Sequence, residues 1–194
     1  MMEQAILRKA EESARVLREF AAAQGPAIAA CAREVAARLA RGGRLLAFGN
    51  GGSACDAAHV AVEFVHPVLE KRRAWPALAL GQDVALLSAV GNDTDFARAL
   101  ADQLELLARP EDVALGISTS GRSANVVRAL RLARQRGLLT VGLTGRDGGE
   151  LPGQCDHCFV VPSWSIHRIQ EAHVLFLHLL WDMVHVSQGA EDVV

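Results

Sequence analysis

The chain has 194 residues, 51% of them hydrophobic and 22% charged, and a net charge of −2. That is enough chain for one domain with a buried core, and too balanced a charge for broad electrostatic attachment to nucleic acid or to a membrane surface. No window is apolar enough to span a bilayer, and the opening residues, charged throughout, lack the apolar core of a signal peptide, so a cytoplasmic location is expected.

Taken in chain order, residues 3–23 show helical periodicity, with Ile6, Ala10, Ala14, Leu17 and Phe20 near one face. Gly25-Pro26 predicts a break, and a second helix then runs to about Ala40, ending at Gly42-Gly43. Residues 1–42 therefore read as a helical pair, suited to packing on the main domain or on another subunit. From Arg44 onward, short apolar strands alternate with helical segments. The strands fall at 45–48, 77–80, 113–117, 139–143 and 159–161, and the helices at about 53–65, 84–91, 95–107, 123–136 and 165–187. Nearly all-apolar strands between helices predict a parallel sheet covered on both faces. The expected architecture is a single α/β domain over 1–194. Its core, 43–187, is a three-layer α/β/α sandwich with a five-stranded, doubly wound parallel sheet.

Two serine-bearing turns follow predicted strands. The first is Asn50-Gly51-Gly52-Ser53; the second is Ser118-Thr119-Ser120-Gly121-Arg122-Ser123. Each hands a strand over to a helix N-terminus, where unpaired N–H groups and the helix dipole suit a phosphate. Neither is a P-loop, which needs a Lys beside the Ser or Thr, and neither is a dinucleotide fingerprint. Ser53 alone reads as a helix cap. Four hydroxyls within six residues exceed what a cap requires: Ser123 fits that role, and the others can wrap an oxyanion. In doubly wound sheets ligands sit beyond the C-terminal strand ends, where both turns lie.

His59 and Glu63 share a helix face one turn apart, among apolar neighbours. They can form an ion pair, or place an imidazole nitrogen and a carboxylate oxygen on one metal. The last predicted helix carries Gln170, Glu171, His173, His178 and His185, and is apolar almost all round from Val174 to Val184, which predicts burial. A histidine there needs a hydrogen-bond partner, a metal or a substrate. Spacing does not choose between Gln170 and Glu171 as the neighbour of His178. Of the four cysteines, Cys155 and Cys158 form a C-x-x-C ahead of an apolar strand, without a second pair spaced for zinc, and Cys31 and Cys55 stand apart. Reduced thiols are the expectation, with a redox or metal role as the alternative.

Together, GNGGSACDAAHVAVEF, GND at 91–93, GISTSGRSANVVRAL, LTGRDGGEL and RIQEAHVLFLH resemble the sugar isomerase (SIS) domain, and more closely its phosphoheptose isomerase branch. The resemblance runs from about Gly43 to His178. It implies isomerisation of sedoheptulose 7-phosphate to D-glycero-D-manno-heptose 7-phosphate through an enediol(ate), feeding heptose for surface glycans such as lipopolysaccharide. It implies a homotetramer with sites between subunits, and one zinc per subunit. Carried over by motif, Ser53, Ser118, Ser120 and Ser123, with Thr119 nearby, would hold the phosphate. Asn50, Gly51, Gly52, Asp93 and Gln170 would line the substrate site. His59, Glu63, Gln170 and His178 would ligate zinc, and here the resemblance selects Gln170 over Glu171. Glu63 would take the carbon-bound proton, with His178 as partner acid/base.

Two positions depart from the branch. Pro67 stands where an active-site arginine is usual, with Lys71, Arg72 or Arg73 as possible substitutes, and His167 stands where an aspartate is common. The alternative readings are a non-catalytic SIS adaptor similar to the initiator-associating protein DiaA, which binds the replication initiator DnaA, and a sugar-phosphate sensor.

Overall fold

The computed structural model describes residues 1–68 and 72–192. Five parallel strands form one sheet in the order β2-β1-β3-β4-β5. They are β1 (Leu45–Gly49), β2 (Ala77–Ala79), β3 (Val113–Ser118), β4 (Leu139–Gly145) and β5 (His157–Val161). The helices are α1 (Met2–Ala40), α2 (Gly52–Val65), α3 (Val84–Asp93), α4 (Ala99–Leu107), α5 (Ala124–Gln135) and α6 (Ile166–Ser187), with a 3-10 turn at Phe96–Arg98. The expected doubly wound α/β/α sandwich is the observed one, with each strand within two residues of its predicted ends.

Strand alternation builds the two cores. Leu45 and Ala47, with Val113, Leu115 and Ile117, face α1, α2 and α6. Leu46, Phe48 and Ala114 face α4 and α5. Each fully buried Leu or Phe contributes on the order of 2 kcal/mol of transfer free energy. At the N-terminal strand ends, buried Asp112 accepts from the Arg44 backbone N–H, the Arg44 guanidinium at 2.7 Å and the Arg109 N–H. That carboxylate ties the starts of β1 and β3 together.

The predicted break at Gly25-Pro26 does not occur. One helix of 39 residues runs through it. Proline disfavours helix in the residue before it by crowding that residue's Cβ, and Gly25 has none. The lost N–H bond falls on an exposed turn, where water reaches the freed carbonyl, and packing of α1 on α6 holds the rest. Burial begins only at Val16, and Ile6 and Leu7 near the start of α1 are exposed, while Lys9 and Ser13 are already held to α6 by Arg168 and Glu171. Among the described residues, no helix is long and apolar enough to cross a membrane.

Because Pro26 sits in a continuous helix, Pro26→Ala restores one backbone hydrogen bond. It should stabilise the protein by about 1–3 kcal/mol, read as a higher urea midpoint. A lower midpoint would mean that the ring packs in a way the exposed position does not indicate.

Candidate active site

Strand order reverses at β1. β2 pairs on one side of it and β3 on the other, and Gly49 lies opposite Ile117 in the β1–β3 register. The chain leaves both strands at the same sheet edge, so both serine turns open into the crevice where ligands of such sheets bind. The side-chain amides of Asn50 and Asn125 clamp the turns together, each donating to the other at 2.8 Å. Sequence reading singled out Asn50 and missed Asn125, whose partner lies 75 residues away.

The first turn works through backbone. Gly51 caps α2 with φ +55°, a conformation that favours glycine. Gly52 lies against Gln170: a Cβ there would sit 2.3 Å from the Gln170 amide nitrogen. Ser53 is buried within the first turn of α2, whose N-cap is Gly51, so Ser53 is not the cap that its position in the sequence suggests. In the second turn the Ser118 hydroxyl, buried, donates to Ser123 Oγ at 3.0 Å. Ser120 Oγ accepts from the Arg122 N–H. Thr119 and Ser120 are half-buried beside it. Ser123 is the N-cap of α5, but its side chain makes no capping bond either. By contrast, Asp83 caps α3. Two helix N-termini rich in hydroxyls yet lacking side-chain caps keep donors for an anion.

The second turn is braced from outside. Gly121 (φ +64°) abuts the Gly148 carbonyl, and the Glu150 N–H donates to the Gly121 carbonyl. Arg122 pairs bidentately with Asp147, at 2.7 and 3.0 Å. The guanidinium, helped by the Gly149 N–H, holds the Asp147 carboxyl down at about 2. Arg146, at the end of β4, has φ 58°, a conformation non-glycine residues rarely adopt.

α2 and α6 pack on the same sheet face and bring the ionisable residues together. His59 Nε2 lies 3.4 Å from Glu63 Oε1 and 3.4 Å from His178 Nε2. The Trp181 indole N–H donates to the Glu63 carbonyl at 2.8 Å, fixing α6 on α2 beside the site. His178 is exposed, not buried as the apolar run predicts: α6 turns Phe176, Leu177, Leu180 and Trp181 inward and leaves His178 on its open face toward His59. Glu171 points elsewhere, to Ser13 of α1 and to Arg168, which leaves Gln170 as the residue at the crevice.

Donors bound to zinc at 2.0–2.1 Å in a tetrahedron stand about 3.3–3.4 Å apart, so the two contacts of His59 have the length of tetrahedral edges. Among the described residues, no three His, Cys, Asp or Glu side chains are grouped so as to hold a metal ion. As it stands, the group is a His59–Glu63 pair with His178 against the same His59 nitrogen. Asp56, one turn before His59 and missed in the sequence, has a buried carboxylate oxygen without a partner. Burial pushes its carboxyl up, opposed by His59.

Other expected residues are not brought in. Asp93, at the end of α3, accepts from its neighbour Asn92, and α3 has no buried residue and packs on the 3-10 turn and α4. Among the substitutes for the missing arginine, Arg72 pairs with Asp182 and lies over Trp181, and Arg73 lies over Trp75. Lys71 is outside the described residues. His167 is exposed at the start of α6.

Beneath the site, buried His173 donates from Nε2 to the Thr144 carbonyl, and burial lowers its pKa to about 4. An unfolded histidine takes up its proton near 6.5. Stability is therefore full above that pH and falls, by on the order of 3 kcal/mol, as pH drops toward 4. Urea titrations at pH 7 and 5 should show this loss, and His173→Gln should flatten it; an unchanged slope would assign the acid sensitivity to other groups.

The SIS domain family profile matches residues 10–145. Phosphoheptose isomerase of Roseiflexus sp. (strain RS-1) is 45% identical over 92% of this chain and 91% of its own length. That of Solidesulfovibrio magneticus is 48% identical over 90% and 85%. The structure of a phosphoheptose isomerase from Francisella tularensis superposes with a TM-score of 0.90 at 35% identity, covering 96% of this chain and 99% of that one. The two serine turns at the strand-order reversal and the His59–Glu63–His178 contacts thus sit in a chain that belongs to the SIS domain family, within its phosphoheptose isomerase branch, and is an isomerase.

Proposed function

We propose that this isomerase acts on a phosphosugar, converting sedoheptulose 7-phosphate to D-glycero-D-manno-heptose 7-phosphate for surface-glycan heptose. The observation that carries the reading is the pairing of two chemistries on one crevice. Hydroxyls and uncapped helix ends gather at the strand edge. Seven residues along α2 from Gly52, or about 10 Å of helix, stands the His59–Glu63–His178 group. A phosphate held at the first end leaves the carbonyl end of a short sugar within reach of the second. The names of the relatives support the same substrate.

The interconversion moves one proton from C1 to C2 and another from the C1 oxygen to the C2 oxygen. Glu63, half-buried and held by its carbonyl's bond from Trp181, takes the carbon-bound proton and returns it to the adjacent carbon. His178, facing open space, passes the hydroxyl proton between the two oxygens. The Ser118–Ser123 hydroxyls orient the phosphate with neutral donors, which allows release. His59, Glu63, His178 and Gln170 would hold zinc, which when bound supplies Lewis-acid stabilisation of the developing enediolate charge. The exposed Ile6 and Leu7 at the start of α1 and the uncovered helix α3 support assembly, for which a homotetramer is proposed.

An NMR assay with sedoheptulose 7-phosphate tests the reading. The wild type should yield heptose phosphate, and Glu63→Gln should lose at least about 10²-fold in turnover while keeping its fold. Turnover near wild type in that variant would remove Glu63 from the chemistry, and no product from folded, zinc-supplied wild type would refute the substrate. Elemental analysis should find about one zinc per chain in the wild type and a clear loss in His59→Ala; light scattering should give a tetramer. Metal content indifferent to His59, or a monomer, would overturn those parts.

A further inference from the structure

The C-x-x-C motif is not used by the isomerase site, and the structure places both of its sulfurs against Gly142. Cys158 enters β5 directly opposite Gly142 of β4. Gly142 offers no side chain, and the space above it is taken by both thiols. A Cβ at Gly142 would lie 2.8 Å from Cys155 Sγ and 3.7 Å from Cys158 Sγ. Cys155 is buried, whereas Cys158 is only partly covered.

The surroundings point away from a metal. His157, between the two cysteines, turns its ring to Glu34 at 3.3 Å. Asp156 is engaged by the Thr140 hydroxyl and amide. Among the described residues no third donor joins the pair to complete a metal cluster. Two thiols packed over one glycine, one partly accessible and one shielded, have the layout of an attacking and a resolving cysteine.

We propose that Cys155 and Cys158 are a dithiol modification site, oxidised to an intrachain disulfide by low-molecular-weight disulfides. The Cys158 thiolate attacks one sulfur of the small disulfide, forming a mixed disulfide and expelling one thiolate. Cys155 then gives its proton to solvent, and its thiolate attacks the Cys158 sulfur and expels the second small thiolate. Two protein thiols lose two electrons, and one small disulfide becomes two thiols. The order follows from access, and the effect of each thiol on the other runs the same way: Cys155 lowers the Cys158 thiol, while Cys158 and burial raise that of Cys155.

The native wild-type protein is incubated with glutathione disulfide at rising ratios to reduced glutathione and quenched with a maleimide. The peptide carrying residues 155–158 is then weighed. It should lose both maleimide adducts together, appear two hydrogens lighter, and recover on reduction with dithiothreitol. In Cys155→Ser, Cys158 should instead retain a glutathione adduct. In Cys158→Ser, Cys155 should react slower than that, by on the order of tenfold or more. Both cysteines still bearing maleimide in oxidised wild type, or a bridge to Cys31 or Cys55, would overturn the site. Faster reaction at Cys155 than at Cys158 would overturn the order of attack. The wild-type measurement decides the site even if a variant fails to fold.

Discussion

The parallel pairing of β1 with β3, with β2 on the far side of β1, is the constraint on which the site depends. It sends two strand-to-helix turns out of the same sheet edge, so two N-termini can address one anion. Backbone bonds set the strands side by side as far as Gly49 and Ile117. Beyond them the Asn50–Asn125 amide pair continues the connection into the turns. A reciprocal amide pair has two bonds and one geometry, so it fixes the relative position of the turns as well as their proximity. At the opposite strand ends, Asp112 performs the equivalent task through Arg44 and Arg109.

Around this frame the second turn is held rigid from outside. Its glycine, Gly121, leaves no room for a side chain against Gly148, and the Arg122 guanidinium is engaged by Asp147 and the Ser120 carbonyl. The charge nearest the serines is thereby balanced within the protein, and the hydroxyls and amides are left as neutral donors. In the proposed reading, a site built this way would bind phosphate without the long residence that an unpaired guanidinium imposes.

The ionisable end rests on helix packing. α2 begins at the first serine turn and runs over the sheet; α6 crosses the same face and closes on it through Trp181. Packing of α6 on α2, with the Trp181 bond, sets His178 against His59, 119 positions away in the chain. The same packing buries His173 and pairs Glu171 with α1, so three neighbouring polar residues of one helix take three separate roles.

Local pattern carried much of this. Alternation and apolar runs located all five strands, because a strand buried on both faces needs side chains of one kind throughout. The turn residues marked both serine loops, and His59 and Glu63 follow from helical spacing alone. Tertiary structure decided the rest. Gln170 and Glu171 are indistinguishable by period; the resemblance favoured Gln170, and the seating of α6 against Gly52 and α1 is what places it at the crevice. Asn125 and Asp56 carry no local signal, since a partner 75 residues distant and a pocket without a partner leave no trace in spacing. The proline rule predicted a break that α1 does not make, because α6 supplies packing that a rule about adjacent residues does not contain. Sequence determines what each segment prefers through forces acting within a few residues. Which preferences survive, and which side chains meet, is settled by contacts between segments far apart in the chain.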